Sequence, residues 1–299
     1  MAVRVGTASW TDKTLIASGR FYPKDCKSAE ARLRYYASRF PLVEVDSSYY
    51  ALPVPATSQL WAERTPNGFT MNVKAFRLFT GHQTSPVVFA RDLQPALPAT
   101  GSKHLYYADI PPALRDELWR RFHEPLQPLA AAGKLGLVHF QFPPWLLCNR
   151  EGHAHVAHCI ERMQGHTVSV EFRHGTWFEG RHRDSTLAFL RELGAVHTIV
   201  DGPQGFANSV PMVWETTHPG YALLRLHGHN ADTWDIKGAT SASDRFNYDY
   251  SDTELHELAL GIRRLADRVP DTHVVFNNNM EDQGQRNARS LIGELEGVF

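Results

Sequence analysis

The stretch TVSVEFRHGTW, residues 167–177, decides the fold. Its first half alternates as a strand does: Val168, Val170 and Phe172 share one face, and Ser169, Glu171 and Arg173 share the other. The helix layer around a parallel barrel takes the apolar face. Glu171 and Arg173 are therefore expected to point into a lumen, at the end where barrel enzymes carry their chemistry. His174 follows where the strand stops.

Working outward, seven more short apolar runs end in polar clusters: RVGTAS, LVEVDSS, FTMNVKA, LGLVHFQF, AVHTIVD, YALLRLHG and THVVFNNN. Helical spacing fills most of the gaps. SAEARLRYYASRF opens on Ser28 as a cap, and PPALRDELWRRFHEPLQPLAAAG runs from two prolines to a closing Gly133. DSTLAFLRELG and SDTELHELALGIRRLADRV start on Asp184 and Ser251 as caps, and QRNARSLIGELEG ends the series. Alternation of this kind without a linker predicts an α/β fold, a single (β/α)8 TIM-type barrel domain over residues 1–299. The rival, a doubly wound sheet, usually has a glycine-rich first turn, which GTASWTDK lacks. The sixth unit, GPQGFANSVPMVWETTHPG, offers no helix. Long connections after strands 3 and 7, residues 77–110 and 229–250, carry aromatics that predict packed covers.

Composition narrows the function. Lys plus Arg total 31 against 32 for Asp plus Glu, a net charge of −1, so nothing favours a nucleic-acid surface, although a local basic pocket is compatible. Three cysteines without a CxxC pair fit a reduced compartment and no structural zinc. No leader pattern or membrane-length apolar run is present, which predicts a cytoplasmic protein without a membrane partner. HAHVAH, from His153 to His158, reads as a helix start with a solvated histidine face.

The parity argument extends to the other runs. It sends inward Glu44, Asp46 and Ser48, then Asn72 and Lys74, His139 and Gln141, Asp201, Arg225 and His227, and Asn277 and Asn279. One cavity end would thus collect charges of both signs. They either satisfy one another as a buried network or form a ligand site, and the set as a whole favours the site, because valine and leucine fill a lumen at lower cost. His227 and His229 have metal-ligand spacing, but Gly228 falls between them and ends the strand. FQFPPW reads as a rigid turn, and Trp10, Tyr49, Tyr50, Trp177 and Trp234 fall just past strand ends.

With these residues in view the chain resembles the YecE-like family, domain of unknown function 72. The blocks that carry the likeness are VGTASW, FYP at 21–23, VEVDSSYYALP, Trp61 to Pro66, FTMNVKA, QFPP, VEFRHGTW, LRLHG, and FNNN with RNA at 286–288. The resemblance implies a TIM-type barrel and names no activity. Its site positions, carried over, are Glu44, Lys74, Gln141, Glu171, Arg173, His174, Asp201, Arg225, His227 and Asn278. The chain departs from the family pattern at Ala8 and Ser9, where Ser-Gly is usual, and at Asp46, where asparagine is usual.

The expectation that follows is an enzyme, a hydrolase, lyase or isomerase, using acid–base chemistry on a small anionic metabolite or nucleotide fragment. Glu171, His227, Asp201 and Glu44 are the catalytic candidates. Lys74, Arg173, His174, Arg225, Gln141, Asn278, Trp10 and Tyr49 are the binding candidates. No cofactor is required. A divalent-metal hydrolase or phosphodiesterase with Glu44, Glu171, Asp201 and His227 as ligands, a glycosidase using Glu44 and Glu171, and a non-catalytic ligand-sensing barrel stay open.

Overall fold

Strand β1 (Ala2–Ala8) pairs with β8 (Asp271–Phe276), from Ala2 against Asp271 to Thr7 against Phe276, and this contact closes the sheet. The coordinates are a computed structural model that describes residues 2–98, 101–234 and 245–297. Between those two strands lie β2 (Leu42–Val45), β3 (Thr70–Lys74), β4 (Leu135–Gln141), β5 (Val168–Glu171), β6 (Val196–Asp201) and β7 (Tyr221–Leu226). All pairings are parallel and follow chain order around a closed barrel. The barrel read from the sequence is the barrel observed.

The helices start where the sequence supplies acceptors. Ser28 Oγ accepts from Ala31 N–H ahead of the helix Ala29–Ala37. Ser251 caps Asp252–Ala266 in a reciprocal arrangement with Glu254. Two details differ from the sequence reading. Asp184 lies in the first turn of His182–Glu192 rather than at its cap, and contributes there by its charge. The segment 112–133 is two helices, Pro112–His123 and Leu126–Ala131, broken at Pro125, which has no N–H to continue the first. Gly133 does take the left-handed conformation, with φ 64°. Residues 202–220 form no helix, as the missing periodicity implied. Among the described residues no helix is long and apolar enough to cross a membrane.

Inside the barrel, Ala8, Leu42, Leu137, Val196, Leu223 and Val275 make an apolar plug. Beside it in the register, Asn72 Oδ1 accepts from Leu137 N–H at 2.9 Å and faces His273 Nδ1 at 3.0 Å. Most of the first long connection packs down, with Phe79, Phe89, Leu105 and Tyr107 buried. In the second, Trp234 and Tyr250 are buried, and residues 235–244 lie outside the described residues.

The histidines of HAHVAH are not a solvated face. They are half-buried: His153 packs between Trp177 and Phe189, His155 against Phe142, and His158 faces the Tyr107 hydroxyl at 2.8 Å. Aromatic neighbours from separate loops surround that helix, a feature its own spacing does not carry.

Candidate functional site

Arg225 on β7 is fully buried and reaches across the lumen to two strands. Its Nε and Nη2 donate to Glu44 Oε2 and Oε1 at 3.0 and 2.6 Å, and its Nη1 donates to Glu171 Oε2 at 2.6 Å. Glu171 Oε1 accepts from Gln141 Nε2 at 2.6 Å and Arg173 Nη1 at 3.3 Å. His227 Nε2 lies 3.2 Å from the same oxygen, and its Nδ1 lies 2.8 Å from Asn277 Nδ2. A carboxylate only accepts, so Nε2 carries the proton and Nδ1 accepts from the Asn277 amide.

The charge states follow from burial and neighbours. Burial opposes ionisation of Glu171, but the Arg225 guanidinium and His227 outweigh it and hold the carboxyl well below the usual range. Burial, with the Asp46 carboxylate adding to it, pushes Glu44 up to about 7 against the pull of Arg225. His227 and His139 are both pushed down to about 4 by burial and stay neutral. His139 Nδ1 faces Ser169 Oγ at 3.0 Å, whereas its Nε2, 3.4 Å from Glu171, is too poorly aligned for a hydrogen bond.

Above this ionic layer opens a cavity of about 970 Å³ at the C-terminal mouth of the barrel. Lys74, Gln141, Arg173, Tyr49, Asp46 and Asn277 line it. Lys74 Nζ lies 4.8 Å from the Tyr49 ring centre and 3.6 Å from Asp46 Oδ1, beyond hydrogen-bond distance, and that oxygen is buried without a partner. Arg173 lies over the Trp234 ring at 4.6 Å. Glu44, Glu171, Arg225 and His227 lie one layer beneath, each at most 1% exposed. They orient the lining rather than face the cavity.

Four residues singled out from the sequence lie elsewhere. Asp201 points out of the barrel: it shares its parity with His197, which packs on Val213, and with Ile199, while Val196 belongs to the lumen plug. Its carboxylate meets His229 Nε2 at 2.8 Å and accepts from the Tyr250 hydroxyl at 2.5 Å. His174 lies past the strand end, where its Nδ1 accepts from Thr176 N–H beside Phe178 and Glu179. Asn278 is buried and donates to Tyr248 O and Asn287 Oδ1. Trp10 stands edge-on to Trp61 at 5.7 Å in a side pocket.

His227 and His229 diverge as well. Gly228 has φ 80°, and a Cβ there would lie 2.3 Å from Tyr248, so only glycine makes this turn. Among the described residues no group of three or more His, Cys, Asp and Glu side chains is arranged to hold a metal ion. The carboxylates Glu44 and Glu171 are instead turned onto Arg225.

The sequence reading passed over Lys13, His82, Trp145 and Arg245, which also line the cavity. None of the four lies on a strand, so strand parity says nothing about them. The proline pair before Trp145 was the available signal, since it fixes the turn that presents the ring.

Known proteins are similar over the whole length. The UPF0759 protein YunF of Bacillus subtilis (strain 168) is 30% identical over 297 residues, covering 98% of this chain and 95% of that relative. A solved DUF72 family protein from Enterococcus faecalis V583 superposes with a TM-score of 0.79 at 24% identity, covering 100% of this chain and 97% of that one. Another from Thermotoga maritima MSB8 has a TM-score of 0.75 at 25% identity, with 99% and 100% covered. The model of the family described as protein of unknown function DUF72 matches residues 4–298, and the chain belongs to that family.

Proposed function

We propose that the protein is an enzyme that takes a small anionic metabolite, phosphorylated or carboxylated, into the barrel mouth and works on it by acid–base chemistry. The observation that carries this reading is Lys74: an ammonium 8% exposed, lining the cavity, whose nearest carboxylate stays 3.6 Å away. A buried cation without a close hydrogen-bonded partner suits an incoming anion. Arg173 adds donors beyond the one spent on Glu171. Asp46, the cavity-wall carboxylate beside Lys74, exchanges the proton. Glu171 and His227, fully engaged beneath, act as positioning residues for Gln141 and Arg173.

Calorimetry with inorganic phosphate, sugar phosphates and small carboxylates tests the binding half. Lys74→Met and Arg173→Met should each weaken the bound anion about tenfold or more, the scale of one charge-assisted contact. The chemical half is tested by screening the same compounds for turnover. Asp46→Asn should retain binding and lose the reaction. No heat from any anion would defeat the proposal, and binding without turnover of any compound would leave a sensing barrel in its place.

A further inference from the structure

Trp145 is 55% exposed, while the other described tryptophans are buried or half-buried. Its position is built. Pro143 and Pro144 precede it, and Leu146 N–H closes the turn on Pro143 O at 3.0 Å. Its ring lies 5.5 Å from that of His82, which lies 5.4 Å from Tyr49, which lies 5.0 Å from Tyr50. Tyr50 is itself 51% exposed, and all four rings line the cavity. His82 adds no charge to this strip, because burial, with Lys74 and Arg77 beside it, pushes it down to about 3.

An aromatic strip therefore runs from the buried ammonium, through Tyr49 and His82, to an exposed indole. The cavity of about 970 Å³ is far larger than an inorganic anion needs and suits a drug-sized ligand. We infer that the anion carries a planar heteroaromatic ring, which stacks on Trp145 while Lys74 and Arg173 hold the charged group. The two ends of the strip are separated by two intervening rings, so a spacer must join ring to anion, as the sugar does in a nucleoside monophosphate. This rests on the anion reading above and adds the ring and the spacer.

The test is equilibrium binding of inorganic phosphate, ribose phosphate, adenosine and uridine monophosphates, and the two free nucleosides. The protein is compared with Trp145→Ala, Trp145→Phe and Lys74→Met, and thermal melts confirm that each variant is folded. A monophosphate should bind at least about tenfold tighter than ribose phosphate. Trp145→Ala should weaken that monophosphate by between about fivefold and a hundredfold, the range for loss of one stacked base, and leave ribose phosphate unchanged. Trp145→Phe should recover most of the loss, and Lys74→Met should weaken both compounds. Equal affinity for ribose phosphate and the monophosphates, or no effect of Trp145→Ala, overturns the ring and leaves the anion reading standing. No binding of any phosphate-bearing probe, or nucleosides binding as tightly as monophosphates, overturns the anion reading itself.

Discussion

Arg225 and Glu44, 181 positions apart in the chain, meet as a two-point guanidinium–carboxylate pair with no solvent exposure, 2.6 and 3.0 Å in its two bonds. Two parallel bonds fix the plane of the guanidinium, and the third nitrogen then points at Glu171.

Removing that centre takes both side-chain hydrogen bonds from Glu44 and leaves Glu171 with Arg173, Gln141 and His227. Arg225→Met should cost about 3–5 kcal/mol, because Glu44 loses its partner while staying enclosed. Adding Glu44→Gln should recover part of the loss, since the stranded charge disappears. Urea denaturation curves measure both, and a double variant no better than the single one would contradict the shared-guanidinium account.

Glu44 gives a pH signature. Its folded value is raised to about 7 from 4.5 by burial, so the folded state holds the proton more tightly than the unfolded chain. The contribution is fully present below about 4.5 and is lost as pH rises to about 7. The stability of the protein minus that of Glu44→Gln should therefore fall across that window and stay flat above it. A difference that rises with pH would mean that the carboxylate is the favoured form.

His229 acts in a higher range. Its ring is held between Asp201 at 2.8 Å and Glu254 at 3.2 Å, with Tyr248 and Tyr250 in edge-on contact with it. The hydrogen bond to Asp201, and then Glu254, raises its value above the usual 6.5 against the cost of burial. Its contribution is complete below about 6.5 and is lost as pH rises through the folded value. Melting temperatures of His229→Gln should approach those of the parent as pH increases, and a constant difference would refute a protonated clamp.

Ser9 carries backbone strain at the cavity edge. It has φ 68°, a region that a side chain disfavours, and its Oγ accepts from Thr11 N–H at 3.1 Å. Ser9→Gly and Ser9→Ala both lose that bond, so their difference isolates the backbone. The glycine variant should be more stable by about 1 kcal/mol. Equal stability by chemical denaturation would show that the conformation relaxes.

The legible part of the molecule was the part with alternation. On β2, β3, β4, β5 and β7 one face mixes charges into an otherwise apolar strand, and parity brought Glu44, Lys74, Gln141, Glu171 and Arg225 together correctly. On β6 both faces mix polar with apolar residues, Val196, Thr198 and Val200 on one and His197, Ile199 and Asp201 on the other, so hydrophobicity does not mark which side faces the lumen. Asp201 was consequently assigned to the wrong face. His273 escaped notice for the same reason, as one polar residue in an apolar run. His174, Lys13 and Trp145 lie beyond strand ends, where position depends on turns and on contacts distant in sequence. Parity also could not separate a residue that lines the cavity from one that supports it, which is why Glu171 read as a base and proves to be fully hydrogen-bonded.

The order in which the ionic layer is synthesised has its own consequence. Glu44 and Glu171 leave the ribosome before Arg225, which belongs to the next-to-last strand. Until β7 emerges, Glu44 lacks its guanidinium and the sheet lacks the strand that joins β6 to β8, so the nascent barrel stays open and its apolar strand faces remain accessible to chaperones and proteases. Truncated chains ending before Tyr221 should accordingly be degraded rather than accumulate as a smaller folded unit.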